Sequence, residues 1–149
     1  MKEELYWGKF TWALFHTCAA KINVEQEIPN LITMIELVCA NLPCPDCRLH
    51  AKTYLQKNPI RKIVNNKDSL IKYLHEFHNV VNLRTRKRTY NINILEQYKN
   101  YDLKLIINTW VKYFRIFHIS PYTIKEHSNR EKIKNQVHKY INDNIHKFM

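Results

Sequence analysis

The chain of 149 residues contains a single glycine, Gly8, and this scarcity limits what its backbone can bind. Glycine-rich loops cradle dinucleotides and phosphates because bare backbone must approach the phosphate groups closely. With one glycine, neither the dinucleotide-binding pattern nor the phosphate-binding loop can form. Any phosphate-bearing ligand must therefore be held by side chains on regular elements.

The length favours one domain with a core large enough to fold without disulfide bonds. No apolar run approaches the ~20 residues of a membrane span, and residues 1–8 do not read as a signal peptide. We therefore expect a cytoplasmic protein with no transmembrane segment. Four cysteines in such a chain are more often catalytic, metal-binding or simply buried than structural bridges.

The formal net charge is +11, and it is distributed unevenly. Residues 48–101 carry twelve Lys and Arg against three Asp and Glu, and the densest piece is Arg84–Arg88. A basic chain is a candidate for nucleic-acid binding. Because most of the charges are scattered and there is no low-complexity arm, we interpret them as a solvated basic surface.

Hydrophobic periodicity is helical along almost the whole chain, and prolines separate the segments. The pattern predicts an all-α fold with helices over 9–20, 29–40 and 45–57 and a fourth ending at 84, capped by Asp68 or Ser69. Four helices with short connections form a four-helix bundle. Two stripes are predicted to face the core: Leu31, Met34, Ile35, Val38 and Cys39 in the second helix, and Leu70, Leu74, Phe77 and Val81 in the fourth.

Beyond the bundle, the sequence predicts a short helical piece over 94–101 and a helix over 103–118 that Pro121 stops. A capping box at Ser128–Glu131 indicates the start of a last helix. We expect a bundle domain at 1–101 and an amphipathic helical C-terminal extension at 102–149. In the favoured interpretation, the extension packs on the bundle or on a partner subunit. In the alternative, its helices lie flat on a membrane surface as interfacial amphipathic helices.

Cys44-Pro45-Asp46-Cys47 places two thiols one helical turn apart at the start of the third helix. Free amides and the positive dipole end stabilise a thiolate there, which suits thiol–disulfide exchange and should favour a reactive Cys47. Thioredoxin-like folds carry the same motif after a strand, but this chain shows no convincing strand. The alternative is a zinc-stabilised, basic helical nucleic-acid-binding module that uses Cys39, Cys44, Cys47 and His50.

Two further motifs accompany the cysteine pair. Trp12 and His16 lie four residues apart and so share one helix face. His75, His78, Asn79 and Asn82 form a polar strip beside the core stripe of the fourth helix, a pattern that suits a planar polar heterocycle.

In this order, W-G-x-x-x-W-x-x-x-H (Trp7 to His16), C-P-D-C (Cys44 to Cys47) and H-N-x-V-N (His78 to Asn82), the motifs resemble those of the Erv/ALR family of FAD-linked sulfhydryl oxidases. The resemblance covers residues 7 to about 100. It implies a four-helix bundle plus a short fifth helix that binds FAD, usually as a homodimer. It also implies that Cys44 and Cys47 are the catalytic redox pair, with no metal, and it assigns a set of cofactor-binding residues: Gly8, Trp12, His16, Cys47, His78, Asn79, Asn82 and Lys87.

The implied reaction forms disulfides in partner dithiols and passes the electrons through the pair and the flavin to oxygen, giving hydrogen peroxide. Cys18 and Cys39 are the only other cysteines, and they are either free buried thiols or a bridge between the first two helices. The chain has no further cysteine pair that could relay electrons from a substrate. We therefore expect it to act directly on a partner protein that carries its own dithiol, such as a thioredoxin-like or small C-x-x-C protein. We expect no nucleic-acid partner. In this respect the chain looks like the short viral sulfhydryl oxidases, which work in the host cytoplasm or the virion.

Overall fold

The computed structural model describes residues 6–115 and 123–149, and within them the regular structure is helical. Seven α-helices run in chain order: α1 Tyr6–Lys21, α2 Ile28–Cys39, α3 Pro45–Lys57, α4 Ile60–Ile63, α5 Lys67–Arg84, α6 Leu103–Tyr113 and α7 Ile124–Asp143. Three 3-10 segments lie at Glu25–Glu27, Ile92–Asn100 and Ile145–Lys147. The all-α prediction is confirmed. None of the described helices is long and apolar enough to cross a membrane.

Helix α1 is the centre of the fold, since it packs against α5, α6 and the 3-10 segment Ile92–Asn100. Both predicted core stripes are buried except for Val81, which is partly exposed at the C-terminal end of α5. Among the described residues, the largest fully buried side chains come from α1, α2, α5, α6 and α7 and from Phe114 just after α6; they include Phe15, Leu31, Ile35, Leu70, Leu74, Trp110 and Ile141. The core is therefore continuous between the bundle and α6.

The helices after residue 102 pack onto the bundle. Trp110 of α6 is fully buried, and its Nε1 donates a hydrogen bond to Thr11 Oγ1 of α1 at 3.0 Å. At the far end of α7, the Tyr140 hydroxyl donates to Glu27 Oε2 at 2.6 Å and Lys147 Nζ lies 2.7 Å from Glu27 Oε1. These contacts bury one face of each predicted amphipathic helix against the same chain.

Several predicted boundaries were wrong. Helix α5 is capped by Asn66, not by Asp68 or Ser69: Asn66 Oδ1 accepts from the Ser69 amide at 2.8 Å, and Ser69 Oγ accepts from the Asn66 amide at 3.0 Å. The predicted helical piece at 94–101 is a 3-10 segment that begins at Ile92. The short helix α4 was not predicted at all.

Corrections also apply to the last two helices. Helix α7 begins at Ile124, so Ser128–Glu131 lies inside it and is not a capping box. Helix α6 ends at Tyr113, five residues before the predicted end. The remainder of the predicted segment, 116–118, and Pro121 lie outside the described residues.

Candidate active site

The cysteine pair occupies the first turn of α3. Cys44 is the N-cap residue, Pro45 is the first helical residue, and the Cys44 sulfur accepts a hydrogen bond from the Cys47 amide at 3.3 Å. Pro45 suits this position because its missing N–H would be unpaired there anyway. Both cysteines are partly exposed free thiols, and Cys47 packs against the hydrophobic core. The predicted geometry of two thiols within one helical turn is confirmed.

The electrostatics at Cys47 differ from the prediction. Burial, together with a hydrogen bond to the Cys44 thiol, raises the pKa of Cys47 to about 11. The Arg84 guanidinium at the C-terminal end of α5 is near enough to Cys47 to act in the opposite direction, lowering the pKa. The cation that favours a thiolate is therefore Arg84, a residue assigned from the sequence only to the basic cluster.

Three rings from α1 and α5 stack in a cleft. The Trp12 and His78 rings are nearly parallel, with centroids 4.1 Å apart, and His16 Nε2 lies 2.9 Å from His78 Nδ1. Tyr98, from the 3-10 segment, adds a fourth ring 5.1 Å from His16. The structure thus brings together Trp12, His16 and His78, which the family resemblance assigned to one cofactor site.

A cavity of about 210 Å³ opens beside this stack, lined by His16, His75, His78, Asn79, Tyr90, Ile94, Leu95, Gln97 and Tyr98. A second cavity, of about 590 Å³, shares His16 and Leu95 with the first and continues between α1, the start of α5 and the 3-10 segment. The 3-10 segment therefore forms one wall of both cavities. Sequence reasoning missed Tyr98, because a lone tyrosine in a short irregular segment gives no periodic signal.

The side-chain amide of Asn79 is hydrogen-bonded to the backbone of Tyr90. Its Nδ2 donates to the Tyr90 carbonyl at 2.9 Å, its Oδ1 accepts from the Tyr90 amide at 3.0 Å, and His75 Nε2 lies 2.7 Å from the same carbonyl. These bonds tie the segment after α5 back onto the helix. Asn79 therefore shapes the cavity wall, and both polar atoms of its amide already have partners.

Asn82 has the opposite character. It is 4% exposed, and its Nδ2 has no hydrogen-bond partner among the described residues. A buried donor without a partner is uncommon in folded proteins and indicates a missing ligand or water.

The end of α5 carries the densest basic cluster. The Lys87 amide donates to the Asn82 carbonyl at 2.7 Å and the Arg86 amide to the Leu83 carbonyl at 3.2 Å, which is the Schellman arrangement. Arg86 adopts φ 59°, the left-handed conformation that glycine usually supplies. The turn keeps Lys87 close enough to His78 to lower the pKa of that imidazole, after burial itself.

Gly8 lies in the first turns of α1, and a Cβ placed on it meets no other heavy atom within 4 Å. Open space beside a residue of the W-G-x-x-x-W motif leaves room for a ligand.

The four side chains of the zinc alternative do not come together. Across residues 6–115 and 123–149, no group of three or more His, Cys, Asp or Glu side chains is arranged to hold a metal ion. Cys39, the last residue of α2, is buried, and this burial raises its pKa to about 12; Cys18 is also a buried free thiol. The structure therefore contains free thiols in both places rather than a Cys18–Cys39 bridge.

An all-helical fold with a dithiol at a helix start, beside a cleft of stacked rings, defines a helical thiol-redox protein that is distinct from the thioredoxin fold. The sequence profile of the Erv1/Alr family matches residues 9–102. Because this match spans most of the chain, the chain belongs to the Erv1/Alr family.

Curated relatives agree with this membership. An FAD-linked sulfhydryl oxidase of African swine fever virus is 34% identical over 108 residues, which cover 70% of this chain and 87% of the viral protein. A putative FAD-linked sulfhydryl oxidase of Invertebrate iridescent virus 3 is 31% identical over 87 residues, or 54% of this chain and 57% of that protein. An FAD-linked sulfhydryl oxidase of Oryza sativa subsp. japonica is 32% identical over 84 residues, covering 54% of this chain and 41% of its own length. No solved structure is significantly similar to the chain.

Proposed function

We propose that the protein is an FAD-linked sulfhydryl oxidase in which Cys44 and Cys47 are the redox pair. The observation that carries the proposal is the arrangement along α5, where Arg84 lies close enough to Cys47 to lower its pKa while His75, His78 and Asn79 of the same helix line the cavity. One helix thus connects the dithiol with the ligand cavity. Family membership supports the same activity.

The residues assigned to FAD lie on α1, on α5 and in the turn after α5, and three of them, His16, His78 and Asn79, line the cavity beside the ring stack. The buried Asn82 amide nitrogen lacks a partner, the space beside Gly8 is open, and the cluster Arg84–Arg88 supplies cations for the phosphates. Trp12, His16 and His78 offer ring faces for stacking. When bound, the flavin accepts two electrons from the dithiol and passes them to an acceptor. We assign Gly8, Trp12, His16, His78, Asn82 and Lys87 to hold it, with Asn79 shaping the cavity wall.

The reaction begins with the pair in its disulfide form. A substrate thiolate attacks the Cys44 sulfur, the S–S bond breaks, and Cys47 leaves as a thiolate that Arg84 stabilises. The second substrate thiol, after losing its proton, attacks the mixed disulfide and releases Cys44. The substrate leaves oxidised, and the two electrons remain on the Cys44 and Cys47 thiols for transfer to the flavin.

We further propose that oxygen is the final acceptor, that hydrogen peroxide is the product and that the enzyme works as a homodimer. The physiological substrate is a partner protein with its own dithiol. Cys18 and Cys39 support this last point, since both are buried and cannot relay electrons from a distant substrate. On this proposal residues 1–101 form the oxidase unit, and residues 102–149 are an extension that packs on it.

Purified full-length protein tests the function. It should be yellow with a flavin spectrum, contain no zinc, and consume oxygen and release peroxide when given dithiothreitol. Cys47→Ser should keep the flavin and abolish oxygen consumption, whereas Cys18→Ala, which changes a buried thiol outside the pair, should keep turnover. A colourless protein with stoichiometric zinc would instead support the binding-module alternative.

A further inference from the structure

Two arginines from distant parts of the chain converge on one backbone carbonyl. Arg48 Nη1 of α3 donates to the Leu42 carbonyl oxygen at 2.6 Å, and Arg130 Nη2 of α7 donates to the same oxygen at 2.7 Å. Arg130 is 3% exposed and lies beyond residues 9–102, the part of the chain that matches the family. A helix of the C-terminal extension therefore contacts the loop that leads into the cysteine pair.

Glu126 fixes both guanidinium groups in place. Its carboxylate lies 3.6 Å from Arg48 Nη2 and 3.8 Å from Arg130 Nη1, and its backbone carbonyl accepts from Arg130 Nη1 at 3.0 Å. A buried arginine that bonds two carbonyls in a fixed fork holds its partners with little freedom. Arg130 is thus a rigid link between α7 and Leu42.

The loop between Leu42 and α3 is stiff enough to pass this constraint to Cys44. Pro43 locks its own φ and restricts Leu42, and Pro45 restricts Cys44 to extended backbone, as seen in its φ of −104° and ψ of 120°. With two prolines in four residues, anchoring the Leu42 carbonyl anchors the Cys44 sulfur as well.

We infer that α7 clamps the redox loop and that Arg130 is a positioning residue, which holds the Leu42 carbonyl so that Cys44 stays in place for bonding to Cys47. The inference rests on the proposed function only in taking Cys44 and Cys47 as the redox pair. Loosening the loop lowers the effective concentration of one thiol at the other and makes the protein disulfide less stable.

The equilibrium with glutathione measures this directly. One oxidised glutathione takes two electrons from the Cys44 and Cys47 thiols, and the products are the protein disulfide and two reduced glutathione molecules. Arg130→Met fills the same buried volume without donors. In anaerobic full-length protein, with the disulfide quantified by alkylation and mass spectrometry, we expect the equilibrium constant for disulfide formation to fall about tenfold, comparable with freeing one backbone residue. A tenfold fall makes the reduction potential ~30 mV less negative.

Tyr140→Phe is the matched control, because it removes the α7 hydrogen bond to Glu27 about 15 Å along the helix from Arg130. It should leave the equilibrium constant within about twofold of wild type. Arg130→Lys provides a second variant if Arg130→Met does not fold. Its single ammonium cannot reproduce the fork, so a smaller loss of the same sign is expected.

An unchanged equilibrium constant in the folded Arg130 variants, or an equal loss in Tyr140→Phe, would overturn the clamp. Failure of the proposed function is read from a different measurement: the wild-type protein would bind no flavin and consume no oxygen with dithiothreitol, whatever the equilibrium constant with glutathione.

Discussion

His16 Nε2 and His78 Nδ1 are 2.9 Å apart, so one neutral imidazole donates a hydrogen bond to another across the α1–α5 interface. Burial, reinforced by the neighbouring His78 and His75, lowers the pKa of His16 to about 3. Burial, with Lys87 and His75, lowers the pKa of His78 to about 4. Both rings are therefore neutral at physiological pH.

The histidine pair predicts acid sensitivity. Because both native pKa values lie below the unfolded value of 6.5, the unfolded chain takes up protons first, and stability falls as pH drops below about 6.5. Each group contributes a slope of up to ~1.4 kcal/mol per pH unit. His78→Gln should roughly halve the slope between pH 6.5 and 5 in urea unfolding, while His50→Gln, an exposed site on α3, controls for loss of an imidazole. An unchanged slope in His78→Gln would count against the buried pair.

Asn82→Leu should separate stability from cofactor binding. Its Nδ2 is buried without a partner among the described residues, so an apolar side chain of similar size should leave the apoprotein as stable or more stable. Flavin retention should weaken about tenfold, the equivalent of one lost hydrogen bond. The flavin-to-protein absorbance ratio after gel filtration and the thermal midpoint of the apoprotein measure the two effects. Full flavin occupancy would contradict the role of Asn82.

Arg84→Gln should make Cys47 harder to ionise. Burial and Cys44 raise the pKa of Cys47, and it lies at about 11 even with the guanidinium opposing them, so removal of the guanidinium raises that pKa further. In a Cys44→Ser background, the pH dependence of Cys47 alkylation should move to higher pH. Arg88→Gln, an exposed member of the same cluster, should not move it. If the pH dependence of Cys47 alkylation is the same in the Arg84→Gln and Arg88→Gln variants, Arg84 acts on Cys47 only through the overall positive charge of the cluster.

Glu27→Gln should loosen the end of the C-terminal extension. The side chain is only 4% exposed; burial raises its pKa, but the bonds from Lys147 and Tyr140 outweigh burial and the net pKa is lowered. The carboxylate therefore stabilises the fold above about pH 4.5, and this contribution is lost as pH falls further. We expect a loss of about 2–3 kcal/mol in the free energy of unfolding at pH 7, measured with urea. Glu25→Gln, exposed in the same 3-10 turn, should cost less than ~0.5 kcal/mol.

The sequence predicted those parts of the fold whose signals are local and repeated. The α2 stripe, which includes Leu31 and Ile35, was correct because every third or fourth residue reports on the same buried face. The start of α3 was also predicted correctly, because a proline such as Pro45 is tolerated in a helix mainly in the first turn. Helix boundaries were predicted wrongly where several neighbouring residues could serve as the N-cap. Asn66, Asp68 and Ser69 can all cap a helix, and only the tertiary structure selects Asn66.

The residues of the candidate site divide in the same way, into those with a local sequence signal and those without one. Trp12, His16 and His78 come together because each lies on a helix whose facing side is visible in the sequence. Arg84 at Cys47 and Arg130 at Leu42 depend on contacts between distant helices, which a single sequence does not encode in any local pattern. The local match at Ser128–Glu131 gave a wrong helix start, because α7 begins at Ile124 and this segment lies inside it.

The left-handed Arg86 shows where the scarcity of glycine has an energetic cost. A Schellman turn normally takes glycine at this position, and an L side chain there costs of order 1 kcal/mol. Glycine would relax the turn but would leave three cations where Arg84–Arg88 now carries four. On the proposed function, Arg86→Gly would therefore stabilise this helix end and at the same time remove one cation from the cluster assigned to the phosphates.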